Sequence, residues 1–251
     1  MSVLAHFSRR LGNRLYETAF PIYRPLYRAF KAVEDRDERR LLARRLQKGD
    51  VAVDVGANIG VYSQFLARCV GARGAVHSFE PSPDNFERLQ AGLASSSNVQ
   101  VNQLAVSDKS EETTLYISND LNVDHRVYPT SGMPRQTVTI RSTTLDDYFR
   151  PGERVNLIKM DVQGYELHAL RGAERVLADN PSLKLLLEYW PHGLQQAGAS
   201  AAELLHFLYD HRLTAFRLFG NDLVQYTSKA GDPVGPDHYL NLFIERINHD
   251  T

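Results

Sequence analysis

A short segment near residue 50, VAVDVGANIGVYS (51–63), places a carboxylate and two glycines at a spacing suited to ligand binding. Its apolar run ends at Gly56 and helical spacing begins after Gly60, so the segment predicts a strand that turns into a helix. Ligands of α/β sheets bind at such turns, beyond the carboxyl ends of the strands. A dinucleotide site would have the pattern G-x-G-x-x-G, but Asn58 stands in the place of its middle glycine.

Asp54, inside the predicted strand, indicates the charge of the ligand. A carboxylate beside a pyrophosphate would cost on the order of a few kcal/mol, whereas a carboxylate beside an ammonium group gains a similar amount. S-adenosylmethionine carries such an amino group, and glycine lets the backbone approach it closely. We therefore predict that this cofactor is bound by Asp54, Gly56, Asn58 and Gly60. The alternative is that Asp54 is a polar residue that only caps the turn.

Glu80 ends the second apolar run, in the segment HSFEPSP. An acidic side chain at this position can accept hydrogen bonds from both hydroxyls of a ribose, in NAD sites as well as in the site predicted here. We therefore add Glu80 and the adjoining Pro81 to the predicted cofactor site. Ala105 and Ser107, in the segment LAVSDK, are placed near the adenine from topology alone.

Three residues are candidates for removing a proton from an acceptor. Asp161 follows a buried-type strand in LIKMDV and could accept the proton, orient a hydroxyl or bind a metal. His192 follows LEYWP and suits a general base because imidazole titrates near neutral pH; a surface-loop histidine is the alternative. Glu188 lies inside an apolar strand, where it either lines the site or is structural. No spacing here is diagnostic of a metal site, so no metal is predicted, and Lys159 is expected to pair with a carboxylate.

The elements that must position these residues alternate between strand and helix after residue 50. The runs VAVDV, AVHSFEP, VQVNQLAV, VNLIKMDV and LKLLLEYW predict strands of a doubly wound, mostly parallel sheet. Period-two alternation in EETTLYIS and RQTVTIRS predicts an inserted β-hairpin around the loop 119–134. A last pair of strands, joined by the loop 220–238, predicts an antiparallel addition at one edge. Long loops are often functional, so both loops are expected to act as lids or substrate walls.

Six segments in this order resemble the FkbM family of S-adenosylmethionine-dependent methyltransferases: VDVGANIGVYS, FEPSPDNFERL, LAVSD, TLDDY, IKMDVQGYELHALRGAERVL and LLLEYWP. The resemblance covers about residues 51–191. It implies a Rossmann-like class I methyltransferase fold, with a seven-stranded, mostly parallel sheet and one antiparallel edge strand. It also implies methyl transfer to oxygen, often on sugars, glycans or secondary metabolites.

Composition narrows the class of protein further. The chain has 251 residues, of which 43% are hydrophobic and 24% charged, as in ordinary globular domains. The net charge of −1 argues against general nucleic-acid binding. Cys69 is the single cysteine, so no internal disulfide can form. Because the sequence has no long apolar run and no secretory leader pattern, we predict a cytoplasmic protein.

The basic residues are concentrated near the amino terminus. Residues 1–50 contain 12 Lys and Arg but 6 Asp and Glu, with aromatic residues interleaved. We predict a helical N-terminal extension over residues 1–48 and a methyltransferase domain over 49–251. The extension either rests on an anionic membrane or a lipid-linked substrate, or forms a solvated cap with arginine stems packed on the domain. Pro21 and Pro25 predict short helices rather than a long one.

The leading functional hypothesis is an O-methyltransferase acting on a small-molecule, sugar or glycan acceptor. An N-methyltransferase with the same cofactor site, or a non-catalytic scaffold of this fold, remains an alternative. An NAD-dependent oxidoreductase is disfavoured by the broken glycine pattern. The sequence identifies neither the acceptor nor the oligomeric state.

Overall fold

The computed structural model describes residues 12, 14–118, 124–129, 135–227, 235 and 238–247. Both predicted lid loops, 119–134 and 220–238, therefore lie partly outside the described residues, as does the start of the N-terminal extension. No described helix combines the length and the apolar composition needed to cross a bilayer.

The described helices and strands are as follows. The helices are α1 (Phe20–Glu34), α2 (Arg36–Arg45), α3 (Val61–Val70), α4 (Pro83–Leu93), α5 (Leu145–Tyr148), α6 (Glu166–Arg171), α7 (Glu174–Asp179), α8 (Pro191–Gln196) and α9 (Ala201–Asp210). The strands are β1 (Val51–Val55), β2 (Ala75–Phe79), β3 (Val99–Asn102), β4 (Ala105–Val106), β5 (Glu112–Ile117), β6 (Gln136–Thr143), β7 (Leu157–Met160), β8 (Lys184–Tyr189), β9 (Thr214–Phe219), β10 (Asp222–Gln225) and β11 (Leu240–Glu245).

The main sheet has the strand order β10-β9-β11-β8-β7-β1-β2-β3. Strands β3, β2, β1, β7 and β8 pair in parallel, which confirms the predicted α/β class. The sheet has eight strands rather than seven, because β9 and β10 form a hairpin at the edge. β11 is a second antiparallel strand and lies inside the sheet. Its residues Leu242, Phe243 and Ile244 are at most 1% exposed, because strands cover it on both sides.

The predicted β-hairpin is present as a second, smaller sheet. Strands β5 and β6 pair antiparallel from Glu112 opposite Arg141 to Ile117 opposite Gln136. The run predicted as the third strand is divided, because β3 stays in the main sheet while β4 pairs in parallel with β6. Ala105 in β4 shares a small core with Leu115 of the hairpin.

The described helical residues of the N-terminal extension pack onto the domain. Leu41, Leu42 and Leu46 join the core formed by α3 and one face of the main sheet. The segment is divided into short helices, as predicted: residues 14–18 are helical, Pro21 lies in the first turn of α1, and α2 follows Asp35, but Pro25 causes no break. Pro25 lies inside α1 on its exposed side, where its ring meets solvent rather than packed atoms. The helix begins after Ala19 and ends before Asp35, two residues with non-helical backbone angles.

Candidate active site

The glycine turn after β1 lies against the end of β7. Gly56, Asn58 and Gly60 all have positive φ angles, of 76°, 49° and 82°. The backbone N–H of Gly56 donates to the carbonyl of Phe79 at 3.0 Å, which ties the turn to β2 as well. A Cβ atom on Gly56 would lie 2.0 Å from the carbonyl oxygen of Asp161. The turn therefore needs glycine at this position, and it brings the predicted cofactor-binding and catalytic segments together.

Asp54 is fully buried below this turn and already has partners in the protein. The Ser63 hydroxyl donates to its Oδ2 at 2.6 Å, and the Lys159 ammonium nitrogen lies 3.4 Å from its Oδ1. The sequence predicted a cationic partner for Asp54 and assigned that role to the cofactor. In the structure an internal lysine supplies the positive charge, because neighbouring strands β1 and β7 place Asp54 opposite Lys159. A cofactor-binding role for Asp54 stays a prediction.

Lys159 connects Asp54 to the exposed part of the site. Its ammonium lies 3.8 Å from Oδ2 of Asp161 and donates to the carbonyl of Gly56 at 3.4 Å. It also stands over the ring of Tyr62, 5.2 Å from its centroid. Burial lowers the pKa of Lys159, but the charges of Asp54 and Asp161 outweigh it and the pKa is raised. The lysine is therefore a fixed positive charge between two carboxylates. The sequence predicted that Lys159 pairs with a carboxylate, and the structure shows it near both Asp54 and Asp161.

Glu80 is held at the end of β2 by main-chain donors. Its Oε2 accepts the N–H of Asn58 at 2.8 Å, and its Oε1 accepts the N–H of Ser82 at 2.9 Å. The intervening Pro81 is half-buried. Burial raises the pKa of Glu80 to about 7. These bonds connect Glu80 to the glycine turn at Asn58, while its proposed contact with ribose stays a prediction.

The N-terminal extension reaches the same group of residues, which the sequence did not reveal. The hydroxyl of Tyr16 donates to Oδ1 of Asn85, and the Asn85 side chain also bonds to Glu80. The guanidinium of Arg88 lies 3.5 Å from the centroid of the Tyr16 ring. Tyr16 also packs with Ile59 of the glycine turn. The interleaved aromatic residues of the extension were the sequence signal for this cap.

Ala105 and Ser107 lie in and after β4, at the junction with the small sheet. The Ser107 hydroxyl donates to Oδ1 of Asp108 at 3.0 Å and lies 3.5 Å from the hydroxyl of Tyr165. The residue that directly adjoins Glu80 is Asn102, whose carbonyl accepts the Glu80 N–H at 3.0 Å. The positions of Ala105 and Ser107 near the adenine stay predictions.

Asp161 and Glu188 lie close together at the ends of β7 and β8. The side-chain amide of Gln163 donates to Oδ1 of Asp161 at 3.0 Å and to Oε2 of Glu188 at 3.3 Å. Gln163 has a φ of 57°, an uncommon angle that aims its side chain back at the carboxylates. Burial and the charge of Asp161 raise the pKa of Glu188 well above its usual range. The two carboxyl groups therefore differ in environment, since the Asp161 side chain is 38% exposed.

Glu166 supports the loop that carries Asp161 and Gln163. It is fully buried at the start of α6, and its Oε1 accepts the N–H groups of Val162 and Gly164 at 3.1 and 3.3 Å. Burial raises its pKa to about 7. This geometry gives Glu166 a structural role in the turn after β7.

His192 lies in α8, where its Nε2 is 3.0 Å from the side-chain amide nitrogen of Gln196. Its ring centroid lies 5.7 Å from that of Trp190. Within the described part of the chain, no hydrogen bond or ion pair joins His192 to Asp161 or Glu188. Its role as a base stays a prediction.

A cavity of about 320 Å³ opens beside the two carboxylates. Its walls come from the sheet and from the N-terminal extension, and they include Lys31, Glu34, Asp161, Glu188, Arg217 and Tyr239. This volume is at the lower end of the range of small-ligand pockets. Among the described residues, no three His, Cys, Asp or Glu side chains are grouped so as to hold a metal ion.

Residues 54–217 match the family model of the FkbM methyltransferase domain. The chain belongs to this family. The family assignment made from sequence motifs is thereby confirmed, and the domain is of the S-adenosylmethionine-dependent kind, as predicted.

Two methyltransferases that are similar in sequence have names that state a substrate. The hexuronic acid methyltransferase AglP of Haloferax volcanii is 31% identical, over 57% of this chain and 58% of that protein. The 31-O-demethyl-FK506 methyltransferase FkbM of Streptomyces tacrolimicus is 29% identical, over 55% of this chain and 64% of that protein. The matches thus span less than two thirds of each relative's own length.

A solved structure agrees with the Rossmann-like fold. A putative rRNA methylase from Clostridium thermocellum superposes with a TM-score of 0.50, over 84% of this chain and 94% of that one. Its sequence is 14% identical, so the likeness concerns the fold alone.

The residues of this FkbM-family site suit the cofactor. An amino group needs an anionic acceptor, and the Asp54 carboxylate lies near the end of β1, two residues before Gly56. Ribose hydroxyls need acceptors, and Glu80 ends the neighbouring strand. At Gly56 the backbone carries no side chain that would separate a ligand from these groups.

Proposed function

We propose that this protein transfers a methyl group from S-adenosylmethionine to a hydroxyl of a sugar, glycan or natural product. The observation that carries the proposal is the pair of carboxyl groups, Asp161 and Glu188, bridged by Gln163 beside a cavity and the glycine turn. The names of the two relatives, a hexuronic acid methyltransferase and an O-demethyl-FK506 methyltransferase, support an oxygen acceptor.

The two carboxyl groups have different proposed roles. Asp161, partly exposed and 3.8 Å from the Lys159 ammonium, accepts the proton of the acceptor hydroxyl. Burial and the charge of Asp161 raise the pKa of Glu188. Glu188 therefore holds its proton and donates a hydrogen bond to another oxygen of the acceptor. The bound cofactor supplies a methyl group that is already activated on a sulfonium. The protein therefore has to align the hydroxyl and take its proton.

The cofactor would be held at the carboxyl ends of β1, β2 and the segment after β3. Lys159 fixes the turn from below through its bonds to Gly56 and Asp54. His192 is proposed as an additional base on the α8 side of the site. We assign cofactor binding to Asp54, Gly56, Asn58, Gly60, Glu80, Pro81, Ala105 and Ser107.

The proposal also covers where the protein acts and on what. A net charge of −1 favours a small-molecule or sugar acceptor over nucleic acid, and the lone cysteine suits a reducing cytoplasm. Residues 1–48 are proposed to act as an extension of the catalytic domain 49–251.

The reaction is tested with the purified full chain and a panel of hexuronic acids, neutral sugars and polyol natural products. Methyl transfer is measured by mass spectrometry, and the methylated atom is assigned by NMR. We expect the methyl group on oxygen. A product methylated on nitrogen, or tight binding of NAD without binding of S-adenosylmethionine in calorimetry, would contradict the proposal.

The roles of the carboxyl groups are tested by substitution. Asp161→Asn should lower kcat by roughly 10²- to 10⁴-fold while the cofactor Kd changes only a few-fold. Asp222→Asn, at an exposed position on β10, is the matched control. Glu188→Gln keeps a hydrogen-bond donor and should retain most activity, whereas Glu188→Ala should not. Unchanged turnover in Asp161→Asn would show that another group takes the proton.

A further inference from the structure

Helix α1 has an apolar face that the rest of the described chain leaves uncovered. Ile22, Leu26, Phe30 and Val33 are 58%, 57%, 56% and 76% exposed. Their spacing of four, four and three residues places them on one stripe of the helix. Pro25, Ala29 and Ala32 are also exposed, so no charged side chain interrupts this outer stripe. We use "outer stripe" below for Ile22, Leu26, Phe30 and Val33.

The opposite face of α1 is committed to the domain. Tyr23 is buried and packs with Tyr16 and Ile59, next to the glycine turn. Lys31 lies 2.7 Å from Glu34 and 2.9 Å from Asp35, and it lines the cavity beside Asp161. The outer stripe is therefore a second apolar surface of α1, separate from the face that packs on the domain.

The charge around the outer stripe is positive. Residues 14–36 contain four arginines and one lysine against two glutamates and one aspartate. Arg14, six residues before α1, and Arg36, just after it, are exposed. Arg28 is partly exposed on the flank of the stripe and forms no ion pair with any described residue. An apolar stripe with a basic border is typical of helices that lie in the surface of an anionic bilayer.

A second copy of the chain fits this face less well. Helix α1 has 15 residues, so the face is about 22 Å long and about 10 Å wide. This footprint is far below the roughly 800 Å² that each partner buries in a stable dimer. Two copies would also bring their arginine-rich borders together, which opposes association.

We propose that the outer stripe of α1 binds the surface of an anionic lipid bilayer, with the helix axis in the plane of the interface. The cavity lies on the face of α1 that carries Lys31, whose side chain lines it. Binding in this way would place the catalytic cavity about one helix diameter, roughly 10 Å, above the lipid head groups. The proposal does not depend on which atom of the acceptor is methylated.

The test uses the full chain and vesicle co-sedimentation. The probes are vesicles of phosphatidylcholine alone and vesicles of phosphatidylcholine with phosphatidylserine. We expect on the order of tenfold tighter binding to the anionic vesicles, weakened by added salt. The variant Leu26→Ser/Phe30→Ser should lose on the order of tenfold or more of this affinity, and Arg28→Glu should lose part of it. The matched control is Tyr209→Ser/Val224→Ser, which removes apolar groups that are 78% and 51% exposed elsewhere.

Circular dichroism and calorimetry with S-adenosylmethionine check that each variant is folded. Equal binding of the Leu26/Phe30 variant and the control variant to anionic vesicles would overturn the proposal. So would absence of vesicle binding by the unmodified chain. Light scattering that shows a dimer lost only in the Leu26/Phe30 variant would assign the stripe to a second copy and would also overturn it.

Discussion

The ammonium nitrogen of Lys159 lies 3.4 Å from Oδ1 of Asp54, and the two side chains are only 8% and 0% exposed. They face each other because β1 and β7 are parallel neighbours with Asp54 opposite Lys159 in register. A buried carboxylate without a partner is strongly unfavourable. The pair therefore secures the two strands that carry the glycine turn and Asp161.

Removal of Lys159 should destabilise the fold. Lys159→Met leaves Asp54 without its cation, and we expect the free energy of unfolding to fall by about 3–5 kcal/mol in urea titrations. Lys184→Met, a partly exposed lysine on β8, should change it by less than about 1 kcal/mol. The double variant Asp54→Asn/Lys159→Met should be more stable than the sum of the single losses implies. Strict additivity would refute the coupling.

The glycine turn should tolerate no side chain at Gly56. Gly56 and Gly152 have nearly the same φ, 76° and 75°, so alanine costs each about 1–2 kcal/mol in backbone strain. At Gly152 no atom lies within 4 Å of a Cβ, whereas at Gly56 the Asp161 carbonyl would lie 2.0 Å away. Gly56→Ala should therefore cost at least about 3 kcal/mol and abolish cofactor binding, as measured by urea unfolding and calorimetry. Equal losses for the two variants would contradict the close approach.

Tyr16 should influence cofactor affinity from outside the family-matched region. Its hydroxyl bonds to Asn85, which bonds to Glu80, so Tyr16→Phe removes one link behind the proposed ribose acceptor. We expect the Kd for S-adenosylmethionine to rise several-fold, up to about tenfold, since a net hydrogen bond contributes about 1 kcal/mol. Tyr209→Phe, at a residue 78% exposed, is the control. If both variants bind the cofactor equally well, the extension does not position Glu80.

The stability of the protein should fall as pH rises from about 4.5 to about 7, partly because of Glu166. Burial raises its pKa in the folded state to about 7, so the folded protein keeps a proton that the unfolded chain releases near pH 4.5. The favourable contribution is complete below the lower value and is lost through the upper one, with a size on the order of 3 kcal/mol. Glu166→Gln should reduce this slope in urea unfolding measured across the range. Glu174→Gln, at the exposed first residue of α7, should leave it unchanged.

The sequence predicted the elements whose signals are local. Strand β1 and its glycine turn were predicted because apolar runs and glycines at such spacing have direct backbone consequences. The place of β11 between β8 and β9 could not be predicted, because sheet order depends on pairings between segments some fifty residues apart. The continuous helix through Pro25 was missed because a proline inside a helix removes a main-chain hydrogen bond and usually kinks or ends the helix.

In the site too, local features could be predicted from the sequence, whereas contacts that depend on register or on unusual backbone angles could not. Asp161 and Glu188 were candidates because each lies at or near the carboxyl end of a predicted strand, the edge at which ligands of parallel sheets bind. The amide bridge of Gln163 was not foreseen, since it depends on an uncommon positive φ that no sequence pattern marks. The partner of Asp54 was predicted to be external, because a strand lysine 105 positions away gives no sign of its register.

The interior position of β11 sets the limits of any usable fragment. The family-matched region ends at residue 217, before β11 begins at Leu240, and it starts at residue 54, within β1. A recombinant fragment of residues 54–217 would lack β11, the strand between β8 and β9. It would expose unpaired strand edges, which favour aggregation. It would also lack α2, whose Leu42 is fully buried. The region that matches the family is therefore shorter than the region that the fold requires. Truncation studies should keep residues from α2 through β11.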